Sequence, residues 1–168
     1  IKPDIVAPGN RVVWAQALNN LLVTEHPDLD AGVGQTAHER MMYLSGTSMS
    51  TPVAAGAAAL LLQINPNLTP NMIKAILMYT AQPLAGYNML EQGAGEINLE
   101  GAVRLAKLVR NDSTFNTGLL LSVGDPMLTA PAPFAQTTVA GQSFTWSQGV
   151  IFNRTYGTGN ELITRYQK

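Results

Sequence analysis

From Val53 to Ile64, ten of twelve positions are apolar, so the segment has no polar side to turn toward water. Pro52 stands at its entrance and Asn65-Pro66-Asn67 at its exit. Proline suits a first helical turn, and the residue before a proline avoids the helical region, so a helix is predicted between them. A helix hydrophobic all round must be covered on every side. A second helix is predicted from Pro70 to about Thr80, with Thr69 as its cap and Leu68 stapled to Ile73. A third starts near Asn98 and buries Leu99, Ala102, Val103 and Ala106. Its Glu100 and Arg104 are spaced as an i, i+4 pair on the wet side.

The remaining pattern is shorter in range. Asp4 to Gly9, "DIVAPG", reads as a strand closed by a Pro-Gly turn. Arg11 to Ala15 reads as a short strand. Asn19 to Tyr43 has no clear period and reads as a long loop or insertion, in which "RMMYL" is an alternative short strand. Gly93 to Asn98 is a glycine-rich turn. Beyond Val109 the character changes to loop, then to a proline-punctuated linker at Met127 to Phe134. From Gln136 the chain alternates like a β-hairpin, with Ala140-Gly141 at the turn. The expected division is 1–110 and a β-rich extension, 111–168.

Composition sharpens this picture. The 168 residues are 46% hydrophobic and 12% charged, about half the charge of a typical soluble chain. Such a chain is either deeply buried or part of something larger. Its opening, "IKPDIVAPG", reads like the middle of a protein, without a signal peptide. The net charge is −1 and there is no cysteine. That argues against nucleic acid or an anionic membrane as partner, and excludes disulfides and thiolate metal sites. The apolar run to Ile64 falls short of the roughly 20 residues that span a bilayer, so no membrane span is expected.

The chemistry gathers where hydroxyls meet the apolar helix: Thr47, Ser48, Ser50 and Thr51. The first N–H groups of a helix lack intrahelical partners and carry partial positive charge. An oxyanion forming beside Ser48 would be stabilised by the Ser48 N–H and that field. The same spacing also fits plain caps, the commoner use of such residues. The elbow G-x-S-x-G of the α/β-hydrolases is argued against by Ser50 in the second glycine position.

The run Gly46-Thr47-Ser48-Met49-Ser50-Thr51-Pro52, then Val53-Ala54-Ala55-Gly56 and an alanine-rich helix, resembles the nucleophile segment of the subtilisin-like serine proteases, the subtilases of peptidase family S8. "KPDIVAPG" resembles the strand and turn upstream of that segment, and "GAGEINLEGAVRLA" the turn and last helix of the catalytic domain. The resemblance implies an α/β fold, the C-terminal part of a doubly wound parallel-sheet domain with the apolar helix at its centre, followed by the small β-rich extension. It implies peptide-bond hydrolysis through an acyl-enzyme on Ser48, with the Ser48 N–H and Thr47 at the oxyanion hole and Met49 behind the nucleophile, open to oxidation. It implies an extracellular protein, a peptide or protein substrate and, as a frequent structural ion in such proteases, calcium. No cofactor site is identifiable in the residues themselves.

In family order the partner Asp, His and oxyanion Asn precede "KPDIVAPG". His26 and His38 lie in the region between two motifs and read as surface histidines. A metal set of Glu25, His26, Asp28, Asp30 and His38 lacks ligand spacing. Residues 1–168 alone are therefore expected to be inactive. The expected partner is an N-terminal portion of the same protease, with self-association through the uncovered helix as the other outcome. The alternative reading is an inert fragment, or a binding module acting through the β-rich tail.

Overall fold

The structure is a computed structural model, and it describes residues 2–34, 36, 38–112, 124–152 and 155–159. The chain divides into two compact units, Ala7–Ala54 and Ile1–Val6 with Ala55–Lys168.

In the unit Ala7–Ala54, strands β1 (Val12–Ala15) and β2 (Met41–Leu44) pair antiparallel, from Val12 opposite Leu44 to Ala15 opposite Met41. The segment between them, expected as a loop, contains helix α1 (Leu21–Glu25) and a 3-10 turn (Pro27–Leu29). The reason is local. Asn20 caps α1 by accepting the Val23 N–H at 3.3 Å, and its Nδ2 donates to the Met42 sulfur at 3.3 Å. Met42 is buried. The "RMMYL" strand is present as β2.

Helix α2 (Thr47–Ile64) begins five residues before Pro52 and carries the chain from one unit into the other. Pro52 thus sits inside the helix, not in its first turn, and leaves the Ser48 carbonyl without an i+4 N–H. With the hydroxyl residues included, α2 is long and apolar enough, by length and composition alone, to cross a membrane. The sequence estimate counted only the run from Val53. Nor is α2 covered on every side: among its residues only Ala57 and Leu61 are buried.

In the other unit, α3 (Pro70–Thr80) carries the expected cap, with the Met72 N–H donating to Thr69 Oγ1 at 3.3 Å. It packs with α5 (Leu99–Ala106) in a core that includes Leu61, Leu68, Ile73, Leu77 and Leu105. A short α4 (Met89–Gln92), unforeseen from the sequence, lies between them. The stripe on α5 is rotated from the predicted one. Leu99 is exposed, while Gly101, Ala102, Leu105 and Ala106 are buried.

Beyond α5, the hairpin β3 (Gln136–Val139) and β4 (Gln142–Thr145) turns at Ala140-Gly141, both at positive φ (49° and 79°), as the sequence predicts. A second hairpin joins β5 (Gly149–Phe152) to β6 (Thr155–Thr158). Both hairpins meet the helices, β3 against α5 and β5 against α3. The buried Trp146 ring explains the rotated stripe, since a Cβ at Gly101 would lie 2.8 Å from it. Trp146 Nε1 donates to Thr137 Oγ1 at 2.8 Å, and Thr137 donates to Glu100 at 2.6 Å. Glu100 holds Arg104 at 2.7 Å, as the i, i+4 spacing predicts.

The mixture of helices and strands agrees with an α/β class. A doubly wound parallel sheet is not formed by the described strands, which make three two-stranded antiparallel sheets. The parallel pairing among the described residues is the single bridge of Val6 with Glu96. A parallel sheet needs same-direction neighbours along each strand, and these residues supply one such contact.

Candidate active site

The hydroxyl-rich turn is built by two segments far apart in sequence. The Gly46 N–H donates to the Gly9 carbonyl at 2.8 Å, and Ser50 Oγ donates to the Ala7 carbonyl at 2.9 Å. A side chain at Gly9 has no room, because a Cβ there would lie 2.1 Å from Ser50 Oγ and 2.7 Å from the Gly46 oxygen. On the other flank, Ser45 Oγ donates to Asn10 Oδ1 at 3.0 Å and accepts the Arg11 N–H at 2.9 Å. The "APG" turn and the "SGTSMS" turn are therefore one structure. Gly46 enters it at φ 145°, a backbone state that favours glycine.

Five hydroxyl side chains crowd this turn: Ser45, Thr47, Ser48, Ser50 and Thr51. Three have partners within the protein. Ser45 and Ser50 bond as above, and Thr51 Oγ1 donates back to the Thr47 carbonyl at 2.9 Å. Thr47 and Ser48 hydroxyls make no hydrogen bond to any described residue, and both residues are exposed. Capping therefore does not explain these two.

The helix tip itself is open. Met49 and Ser50 N–H groups turn back onto the Gly46 carbonyl at 3.0 and 3.3 Å. Those of Thr47 and Ser48 precede these bonds and have no acceptor among the described residues. Ser48 lies second in the helix rather than just before it. Its hydroxyl and N–H thus share the positive end of an 18-residue helix. The site can place an oxygen nucleophile beside an N–H donor in water-accessible space. Met49 follows it, half-buried.

A base is not brought to this serine by the described residues. His26 lies between α1 and the 3-10 turn, His38 in a turn before β2; both are exposed and neither bonds Ser48. Among the described residues no three His, Asp or Glu side chains converge to hold a metal. The sequence signals gave no hint of Asn10 and Ser45, which bind the turn from its outer side. Their partners lie 35 residues apart, beyond any local pattern.

Residues 1–117 match the subtilase family, peptidase S8. The chain belongs to that family. The subtilase match covers the two turns, α2, α3 and α5, and ends before β3. The chain is 36% identical over 102 residues to the serine protease AprX of Bacillus subtilis (strain 168), covering 61% of the chain and 22% of AprX. It is 37% identical over 99 residues to the subtilisin-like protease SBT1.9 of Arabidopsis thaliana, covering 58% of the chain and 12% of that protein. It is 35% identical over 114 residues to the minor extracellular protease Vpr of Bacillus subtilis (strain 168), covering 65% of the chain and 12% of Vpr. The chain therefore aligns with about a tenth to a fifth of the length of these subtilases.

Proposed function

We propose that residues 1–168 are the serine-bearing part of a subtilisin-like endopeptidase. Ser48 attacks the peptide carbonyl and forms the acyl-enzyme, and its own N–H, at the tip of α2, receives the oxyanion. Thr47 supports that hole from beside it. The observation that carries the reading is the inventory of hydroxyls: three bond within the turn, and the two left open, Thr47 and Ser48, stand on the helix tip.

The histidine that takes the serine proton, the aspartate that orients it and the oxyanion asparagine come from polypeptide outside these residues. Residues 1–168 alone are then inactive, since losing the base leaves only about 10³–10⁴-fold over water even with an intact hole. The same polypeptide supplies the strands of a doubly wound sheet and covers the exposed side of α2. Without it, self-association through that side is the expected outcome. The substrate is a peptide or protein. The extracellular name of Vpr supports secretion of this subtilase too. Calcium is a structural ion by family analogy, bound outside the described residues.

The test is turnover in the full-length protease. Ser48→Ala is expected to lower kcat by about 10⁶-fold, the scale of losing a triad nucleophile. Undiminished hydrolysis by the alanine variant rules the assignment out.

A further inference from the structure

We propose that Arg11 is a specificity-determining residue that selects peptides carrying an acidic side chain close to the scissile bond. The proposal rests on the reading of Ser48 as nucleophile. Segments 5–23 and 41–73 contain both turns of the site and all of α2, yet Arg11 is their single charged residue. It is exposed, and no described carboxylate forms an ion pair with it.

The side chain is also held in place. The Arg11 N–H is fixed on Ser45 Oγ at 2.9 Å, and its guanidinium lies over the Tyr43 ring at 4.3 Å from the centroid. Its backbone is in the left-handed region, φ 49°, which a side chain such as arginine rarely adopts. Strain of this kind persists where the surroundings fix it, here through Ser45 and the β1–β2 pairing. Stacking uses the flat face of the guanidinium. Among the described residues the in-plane N–H donors have no partner, and a carboxylate matches them as a fork.

Position sets the range. Ser45, which Arg11 holds, is three residues from Ser48, within about 11 Å of Cα path. A bound peptide advances about 3.3 Å per residue. The group it would pair with is a carboxylate on a peptide residue flanking the bond that Ser48 attacks. A stacked cation that merely staples the hairpin would make the same contact with Tyr43, and the experiment separates the two roles.

The full-length protease is assayed on pairs of peptides that differ by Glu or Gln at each position flanking the cleavage site. At one of these flanking positions, kcat/KM for the Glu peptide is expected to exceed that for the Gln peptide by about two- to fivefold, the scale of an exposed ion pair. The ratio falls toward one at 1 M salt, where the screening length is about 3 Å. Arg11→Gln brings the Glu-to-Gln ratio to about one, while Arg11→Lys retains part of the preference. Equal rates for Glu and Gln peptides with the wild type, or a Glu preference that survives undiminished in Arg11→Gln, overturn the proposal. Cleavage of both peptides by Ser48→Ala at the wild-type rate instead overturns the reading of Ser48, and Arg11 with it.

Discussion

Ser50 and Gly9 show how little freedom the site leaves to single residues. A helical serine commonly bonds back to the carbonyl four residues earlier. Ser50 reaches across to Ala7 instead, and so fixes the helix tip against the "APG" turn. Gly9 accommodates that contact by having no side chain. Gly9→Ala forces a carbon against Ser50 Oγ and the Gly46 carbonyl. The overpacking is expected to cost about 1–3 kcal/mol, read as a lower urea midpoint with an unchanged slope. A wild-type midpoint would mean that the turn yields easily.

Asp4 makes a prediction in pH. Burial pushes its pKa up, but hydrogen bonds and charge from Lys2 and Lys74 outweigh burial and hold it below the ordinary carboxylate value. Lys74 Nζ lies 3.2 Å from the carboxylate, and Lys2 contacts it too. The unfolded chain therefore binds the proton more readily than the folded one. The contribution is fully present above the unfolded pKa, about 3.9. It is lost as the pH falls through the folded value. Asp4→Asn is expected to lower stability at pH 7 by no more than about 1 kcal/mol. The difference from wild type should shrink as the pH is lowered from 7 toward 2, by urea unfolding at both pH values.

At the scale of elements, α5 and the first hairpin beyond it are one packing unit. A glycine inside a helix normally costs about 1 kcal/mol against alanine. Gly101→Ala on an isolated α5 would therefore be favourable. Here the added carbon meets the Trp146 ring at 2.8 Å and Asn98 Nδ2 at 2.6 Å. Asn98 Nδ2 also donates to the Thr80 carbonyl at 3.0 Å and Thr137 Oγ1 at 3.0 Å, so it cannot move freely. The clash should outweigh the propensity, and Gly101→Ala should be destabilising by calorimetry. A gain in stability would show that Trp146 shifts at little cost.

The same elements show what the sequence could convey. The starts of α3 and α5 were legible because their signals are local: Thr69 before Pro70, and Asn98 before Leu99. The Ala140-Gly141 turn was legible because positive φ narrows the choice of residue. Helix α1 was missed although Asn20 caps it, because five residues are too few to set a period. The stripe on α5 was misjudged because Trp146, far along the chain, decides which face is inside. The subtilase family was legible through the Gly46–Pro52 motif, whereas the surroundings of that turn were not. The bonds from Ala7, Gly9 and Asn10 to the turn join residues with no local pattern in common.

For the whole molecule, the proposed reading joins the site to the apolar helix. α2 buries only Ala57 and Leu61, with Leu60 and Leu62 exposed. Ser48 offers a hydroxyl and an N–H at the helix tip, without a base among the described residues. The proposal accounts for both by strands and a histidine that other polypeptide supplies. The most direct measurement is peptide mapping by mass spectrometry of the full-length protease after reaction with a fluorophosphonate. The account predicts one phosphonyl adduct, on the hydroxyl of Ser48, and none in Ser48→Ala. An adduct on another serine, or an active protease whose Ser48 stays unlabelled, would contradict it.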